Sequence, residues 1–253
     1  IIIMKISVII PVYNEERYIL EVLNRINNQR KNLDLEVIIA DDGSKDKTLE
    51  IIKQNKNLYE KLVENKINNG KGSAIISALE HVSGDYIIIQ DADLEYDPSD
   101  YTKLIEPIKK FGADVVYGSR FIGGEERRIL FFWHSIANKL LTLLSNMFTN
   151  LNLTDMETCY KVFKSETFNQ IELVHNDFSF CPEVTTKISN LRKKNIEVIK
   201  KDEYSQIYKI FKILFNRKSL YFYGTDNSFR DLENKMRLSS AAPSHKGFSP
   251  GTR

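Results

Sequence analysis

The sequence predicts an α/β protein with a doubly wound, mostly parallel sheet flanked by helices. Three observations carry that reading. Short runs rich in Ile and Val recur at residues 6–10, 36–40, 86–89 and 114–117, the composition of parallel strands covered on both faces. Stretches of helical spacing lie between them. Each apolar run is followed by a polar cluster, at the carboxyl strand ends where open α/β sheets hold ligands.

The first run ends on PVYNEE. Lys5 interrupts the apolar start and no small-x-small cleavage site follows, so a buried strand is expected rather than a signal peptide. The first methionine is Met4, which leaves the origin of residues 1–3 open. Tyr18, Val22 and Ile26 then mark an amphipathic helix. The second run ends on ADDGS, where Asp41 or Asp42 can accept a hydrogen bond from a ribose hydroxyl or a base N–H. The alternative is a turn whose Asp caps the following helix, marked by Leu49 and Ile52. Asn69-Gly70-Lys71-Gly72 opens the helix of Ala74 and Ala78 with backbone N–H groups and one cation, which suits phosphate. Neither a G-x-x-x-x-G-K-[ST] nor a G-x-G-x-x-G spacing is present, which removes ATPase and dinucleotide-enzyme readings.

The third run ends on QDADLEYDP. Asp91 and Asp93, with Ala92 between them, would point to one side of an extended chain. Hard carboxylate oxygens at a strand end suit Mg2+ or Mn2+, a cation that neutralises a leaving diphosphate. Glu95, two residues on, can supply or orient a third oxygen. The fourth run leads into GSRF, and Arg127-Arg128 close a Gly123-Gly124 loop. Arginine grips phosphate oxygens bidentately, so Arg120 is assigned a donor phosphate and Arg127 and Arg128 an acceptor phosphate. Solvated surface arginines are the competing reading.

Residues 127–150 have helical spacing with a broad apolar face (Ile129, Leu130, Trp133, Ile136, Leu140, Leu144, Met147). A core helix is the first reading and a membrane-surface helix the alternative. A helix over 182–193 with Pro182 in its first turn and a strand at 197–199 follow. Residues 201–253 carry ten Lys and Arg against five Asp and Glu, and 239–253 have the make-up of a disordered tail. One domain over 4–200 with a basic segment after it is therefore expected.

A net charge of +2 argues against nucleic acid as partner. Cys159 and Cys181 are too few and too widely spaced for a CxxC pair or a disulfide scaffold, and are read as reduced thiols. The four histidines lack zinc spacing. No apolar run reaches the roughly 18 residues of a transmembrane helix.

The order PVYNEE, DDGS, NGKGSA, QDADLEYDP, VVYGSRF, NLTDMETCYKVF resembles the family 2 glycosyltransferases of the GT-A fold. Within them it is most similar to the dolichyl- or polyprenyl-phosphate sugar synthases, over about residues 5–199. The resemblance implies nucleotide contacts from Pro11, Tyr13, Glu15, Ala40 and Asp42, and metal and diphosphate contacts from Asp91, Asp93 and Glu95, with Arg120 on phosphate. It implies an inverting transfer of a hexose from a UDP- or GDP-sugar to a polyprenyl phosphate by an enzyme peripheral on the cytoplasmic membrane face. A lipid phosphate is already anionic, so positioning and leaving-group stabilisation outweigh base catalysis. Asp155 and Glu157 are the candidates for an acceptor-side base or orienter. The QxxRW motif of the processive branch is absent, which favours a single transfer per visit. Beyond Ile199 the subgroup's Pro-x-x-Tyr and Gly-Arg-Thr run is replaced by IKKDEYSQIYKIFKILFNRKSL, so its donor-side arginine has no counterpart. Two competing readings follow: a family 2 transferase acting on a saccharide or protein hydroxyl, and a nucleotide-sugar binder with impaired catalysis.

Overall fold

The computed structural model describes residues 4–121, 132–174 and 179–192. In chain order the elements are β1 (Lys5–Val12), α1 (Ile19–Gln29), β2 (Asp34–Asp41), α2 (Thr48–Gln54), β3 (Lys61–Glu64), α3 (Lys71–Leu79) and β4 (Tyr86–Ile89). They continue with α4 (Tyr101–Phe111), β5 (Val115–Tyr117), α5 (Phe132–Thr149), β6 (Lys161–Lys164), α6 (Ser165–Phe168) and α7 (Phe180–Arg192).

The strands form one sheet in the order β3-β2-β1-β4-β6-β5. The first four run parallel, and β6 is antiparallel to both its neighbours. Side chains alternate across the pleat, so one strand feeds two cores. Ile6, Val8 and Ile10 of β1 pack with Val22, Leu23 and Ile26 of α1 and Ile105 of α4. Ile9 joins Ala74 and Ile75 of α3 and Phe163 of β6 on the other face. This two-sided burial is why the central strands read as unbroken apolar runs.

Two strands were not among those expected. β3 is a half-exposed edge strand of four residues bounded by Lys61 and Glu64, and β6 carries a lysine at each end. The reversal of β6 matters for function. It brings the residues just before β6 to the carboxyl end of β4, beside the segment that follows Ile89.

The core-helix expectation for α5 is overturned. Its buried residues are Asn138, Leu141, Thr142, Ser145 and Thr149, four of the five polar. Phe132, Trp133, Leu143 and Met147 point outward, at 57–75% exposure. Hydrogen bonds explain the inversion: Asn138 Nδ2 donates to Asp155, Met156 N donates to Thr142 Oγ1, and Asn146 exchanges two bonds with Leu153. The loop before β6 offers polar groups, and the polar stripe of the helix turns to meet them. The expected strand at 197–199, the Gly123-Gly124 loop with Arg127 and Arg128, and the segment 201–253 lie outside the described residues.

Candidate active site

The loops after β1 and β2 are sewn together. Asn14 N donates to Ser44 Oγ, Lys45 N to Asn14 Oδ1, and Glu15 N to Thr48 Oγ1. Gly43 sits at φ +74°, and a Cβ there would come within 3.0 Å of the Ile67 carbonyl carbon, so a side chain at this turn would be strained. Pro11 and Ala40 pair in register at the strand ends and are both buried. Tyr13 is half-buried at the mouth, and Glu15 is buried behind it.

The two aspartates of the second loop part ways. Asp42 accepts from Asn65 Nδ2, Asn69 N and Gly70 N at 3.1, 3.1 and 2.7 Å. Those loop N–H groups therefore face Asp42 rather than an incoming phosphate, and Gly70 reaches this turn at φ +100°. Asp42 acts as the fastener of the α3 entrance, nearer to the turn reading than to a nucleotide contact. Asp41 is 1% exposed, and its Oδ2 accepts from Ser44 N. Its Oδ1 is buried with no partner among the described residues, an acceptor left for something else.

At the end of β4 the chain bends, so the extended geometry expected for 91–95 does not hold. Asp93 Oδ1 accepts from Glu95 N at 2.9 Å, which curls the loop, and the Glu95 side chain is exposed. Asp91 Oδ1 pairs with Lys71 Nζ, which also lies 3.7 Å from Cys159 Sγ. Burial would raise the Asp91 carboxyl, but Lys71 holds it below its ordinary value. Burial and the Asp91 charge push Asp93 up to about 7. Burial first and the Asp91 charge second keep the Asp93 proton near neutrality, and a divalent cation would offset both effects. Among the described residues no three His, Cys, Asp or Glu side chains form a complete cage, so phosphate oxygens or water would have to finish the shell.

The segment before β6 carries Asp155, its side chain fully buried. It accepts from Arg120 N, Nε and Nη2 at 3.1, 2.7 and 2.8 Å, and from Asn138 Nδ2 at 3.0 Å. Burial alone would raise this carboxyl; Arg120 overrides it and holds it low. A carboxylate so engaged has little basicity left, so the expectation of Asp155 as a base gives way to a positioning role. Arg120 in turn spends Nε and Nη2 on Asp155, which limits the direct phosphate grip expected of it. Glu157 differs: it is half-buried and makes no hydrogen bond to a described residue. Burial raises its carboxyl, against the pull of Lys161 and Arg120. Lys161 itself is 1% exposed, bonded to Thr158 O and 3.3 Å from Cys181 Sγ. Composition gave no hint of this buried cation.

Residues 7–172 match the family described as glycosyl transferase family 2. The chain belongs to that family. Curated relatives include a dolichol-phosphate mannosyltransferase of Pyrococcus furiosus, 36% identical over 137 residues, which are 54% of this chain and 39% of the relative. An undecaprenyl-phosphate 4-deoxy-4-formamido-L-arabinose transferase of Photorhabdus laumondii is 29% identical over 78% of this chain and 59% of its own. The chain thus spans from about two fifths to three fifths of these relatives. Among solved structures, glucosyl-3-phosphoglycerate synthase of Mycobacterium tuberculosis superposes with a TM-score of 0.58 at 21% identity, over 76% of this chain and 65% of that one. TarS of S. aureus gives 0.54 at 24%, over 74% and 56%. These likenesses fix the GT-A fold of the family 2 domain. Asp41 ends β2, Asp91 and Asp93 follow β4 with Lys71 paired to Asp91, and the segment before β6 carries Asp155, paired with Arg120, and Glu157, whose carboxyl feels both Lys71 and Arg120.

Proposed function

We propose that this family 2 domain transfers a hexose, with inversion, from a UDP- or GDP-sugar to a polyprenyl phosphate, peripherally at the cytoplasmic face of a membrane. The observation that carries the acceptor class is the outward apolar face of α5. The same helix inserts Asn138 into the Arg120–Asp155 pair, so the lipid-facing surface and the acceptor side of the site are one construction. The relatives named for dolichol and undecaprenyl phosphates support the same acceptor class. Among the described residues no helix is long and apolar enough to cross a membrane.

In this reading Asp91 and Asp93 hold Mg2+ or Mn2+, which when bound neutralises the leaving diphosphate. Lys71 adds a fixed cation beside them. The unpaired Asp41 Oδ1 takes a base N–H or ribose hydroxyl, with Pro11, Tyr13, Glu15 and Ala40 lining the nucleoside edge. Glu157 orients the acceptor, and Asp155 holds Arg120 toward the phosphates. Arg127 and Arg128 keep the acceptor phosphate on sequence grounds. Because the nucleophile is an anion, positioning carries most of the burden.

The test is turnover of labelled UDP- and GDP-hexoses with Mn2+ and vesicles containing polyprenyl phosphate. Label in the lipid fraction is expected. Label on a soluble saccharide or protein alone would overturn the acceptor assignment. Nucleotide binding without any turnover would overturn the catalytic one.

A further inference from the structure

The segment 91–96 carries both candidate metal carboxylates, yet it makes no regular secondary structure of its own. Something else must hold its shape. The side chain of Gln90 is fully buried and uses the whole hydrogen-bonding capacity of an amide. Its Oε1 accepts from the hydroxyls of Tyr101 and Tyr160, at 2.8 and 3.0 Å. Its Nε2 donates to the carbonyls of Asp91 and Tyr96, at 3.0 and 3.2 Å. The two tyrosines thus pin the oxygen, which directs the nitrogen at both ends of the 91–96 loop. Tyr96 closes the arrangement from the other side: its hydroxyl accepts from Cys159 N at 3.0 Å, and its ring lies 4.7 Å from that of Tyr160. The loop is therefore tied both to itself and to the segment that carries Glu157.

We propose that Gln90 is a positioning residue for the cation site, its amide clasping the 91–96 loop so that the Asp91 and Asp93 carboxylates stand at the separation a cation-bound diphosphate needs. The inference rests on the reading of Asp91 and Asp93 as the metal and diphosphate carboxylates. Gln90 touches neither substrate nor metal; it acts through the loop carbonyls. Groups that orient ligands from behind typically change metal affinity about 10- to 100-fold when removed.

UDP and GDP binding to the wild-type chain, Gln90→Met and Tyr101→Phe is measured by calorimetry with and without Mn2+, with melting temperature recorded alongside. Methionine matches the size of glutamine and adds no charge, so a changed metal response is not an effect of a new carboxylate. In the wild type, Mn2+ is expected to tighten nucleotide binding; if it does not, the metal reading of Asp91 and Asp93 fails, and this inference with it. In Gln90→Met the Mn2+ enhancement should fall by about tenfold or more while metal-free nucleotide affinity is kept. An enhancement equal to wild type in a folded Gln90→Met chain overturns the inference and leaves the metal reading intact. Should Gln90→Met fail to fold, Tyr101→Phe decides: it removes one anchor and keeps both loop-closing donors. A reduced Mn2+ enhancement in Tyr101→Phe supports the clasp, whereas a lower melting temperature with wild-type Mn2+ enhancement overturns it.

Discussion

Asp155→Asn separates a positioning role from a base role. The substitution keeps the shape of the side chain but removes its charge and sets an amide N–H against donors of Arg120 and Asn138. Breaking a buried ion pair from one side costs about 3–5 kcal/mol, because the abandoned charge stays desolvated. Arg120 keeps 19% of its side-chain surface exposed, so the lower end, about 3 kcal/mol, is the expected loss. For a domain of this size that is a fall of roughly 6–12 °C in melting temperature. The pair also gives a signature in pH. The Asp155 carboxyl lies below its ordinary value when folded, so its contribution is complete above the usual carboxylate range and is lost as pH falls through the lowered value. Asparagine has no such titration, and the gap between variant and wild type should close in acid. Arg120→Met combined with Asp155→Asn should cost less than the sum of the two. Urea denaturation across pH measures all of this. A variant that melts with the wild type and loses only turnover would refute the argument and restore Asp155 as a base.

Glu36 makes a second acid-sensitive prediction, away from the site. Burial would raise its carboxyl, but bonds from Ser7, Ser83 and Lys5 hold it at about 2. Against an ordinary value of 4.5, that is about 3 kcal/mol, present above pH 4.5 and lost toward pH 2, so Glu36→Gln should destabilise at neutral pH and match the wild type near pH 2. Equal denaturation midpoints at neutral pH would discount the network. Asp93→Ala is expected to abolish metal-supported turnover while circular dichroism and melting stay near wild type; wild-type rates would remove Asp93 from the metal site. Leu143→Glu with Met147→Glu should lower vesicle partitioning at least tenfold with melting temperature within about 2 °C, since both side chains are mostly exposed. Unchanged partitioning would mean that α5 meets no bilayer.

Much of the fold was legible because the central strands are buried on both faces. Ile6–Ile10 and Ile87–Ile89 have no polar side to blur the pattern apart from Ser7. β3 and β6 were not, since their lysines and Glu64 imitate loop composition and only pairing with a neighbouring strand makes them β. The positions of the site residues were legible at the strand ends; their partners were not. Asp155 lies 35 residues from Arg120, a distance that no local pattern spans. Gln90 stood in plain view beside Asp91, but its tyrosine partners lie 11 and 70 residues away. Periodicity revealed the stripes of α5 without saying which faces inward. The signal was present all the same: Asn138, Thr142, Ser145 and Thr149 recur at helical spacing without a charge among them, a pattern suited to bonding with protein rather than water.

That stripe fixes more than the orientation of one helix. Rolling α5 to bury Trp133, Leu143 and Met147 would break the bonds from Asn138, Thr142 and Asn146 to the 153–156 segment. Each such bond contributes about 1 kcal/mol net, and more where it meets the charged Asp155. Leaving these polar groups buried without partners would cost further. The protein therefore keeps its apolar face outward at the expense of hydrophobic burial it could otherwise gain. One residue of that stripe, Asn138, also bonds Asp155, the partner of Arg120, so the orientation of the apolar face and the order of the pair are set together. Under the proposed function, a bilayer presenting a lipid phosphate would cover this apolar face and bring the phosphate toward Arg120 and Glu157 in one step.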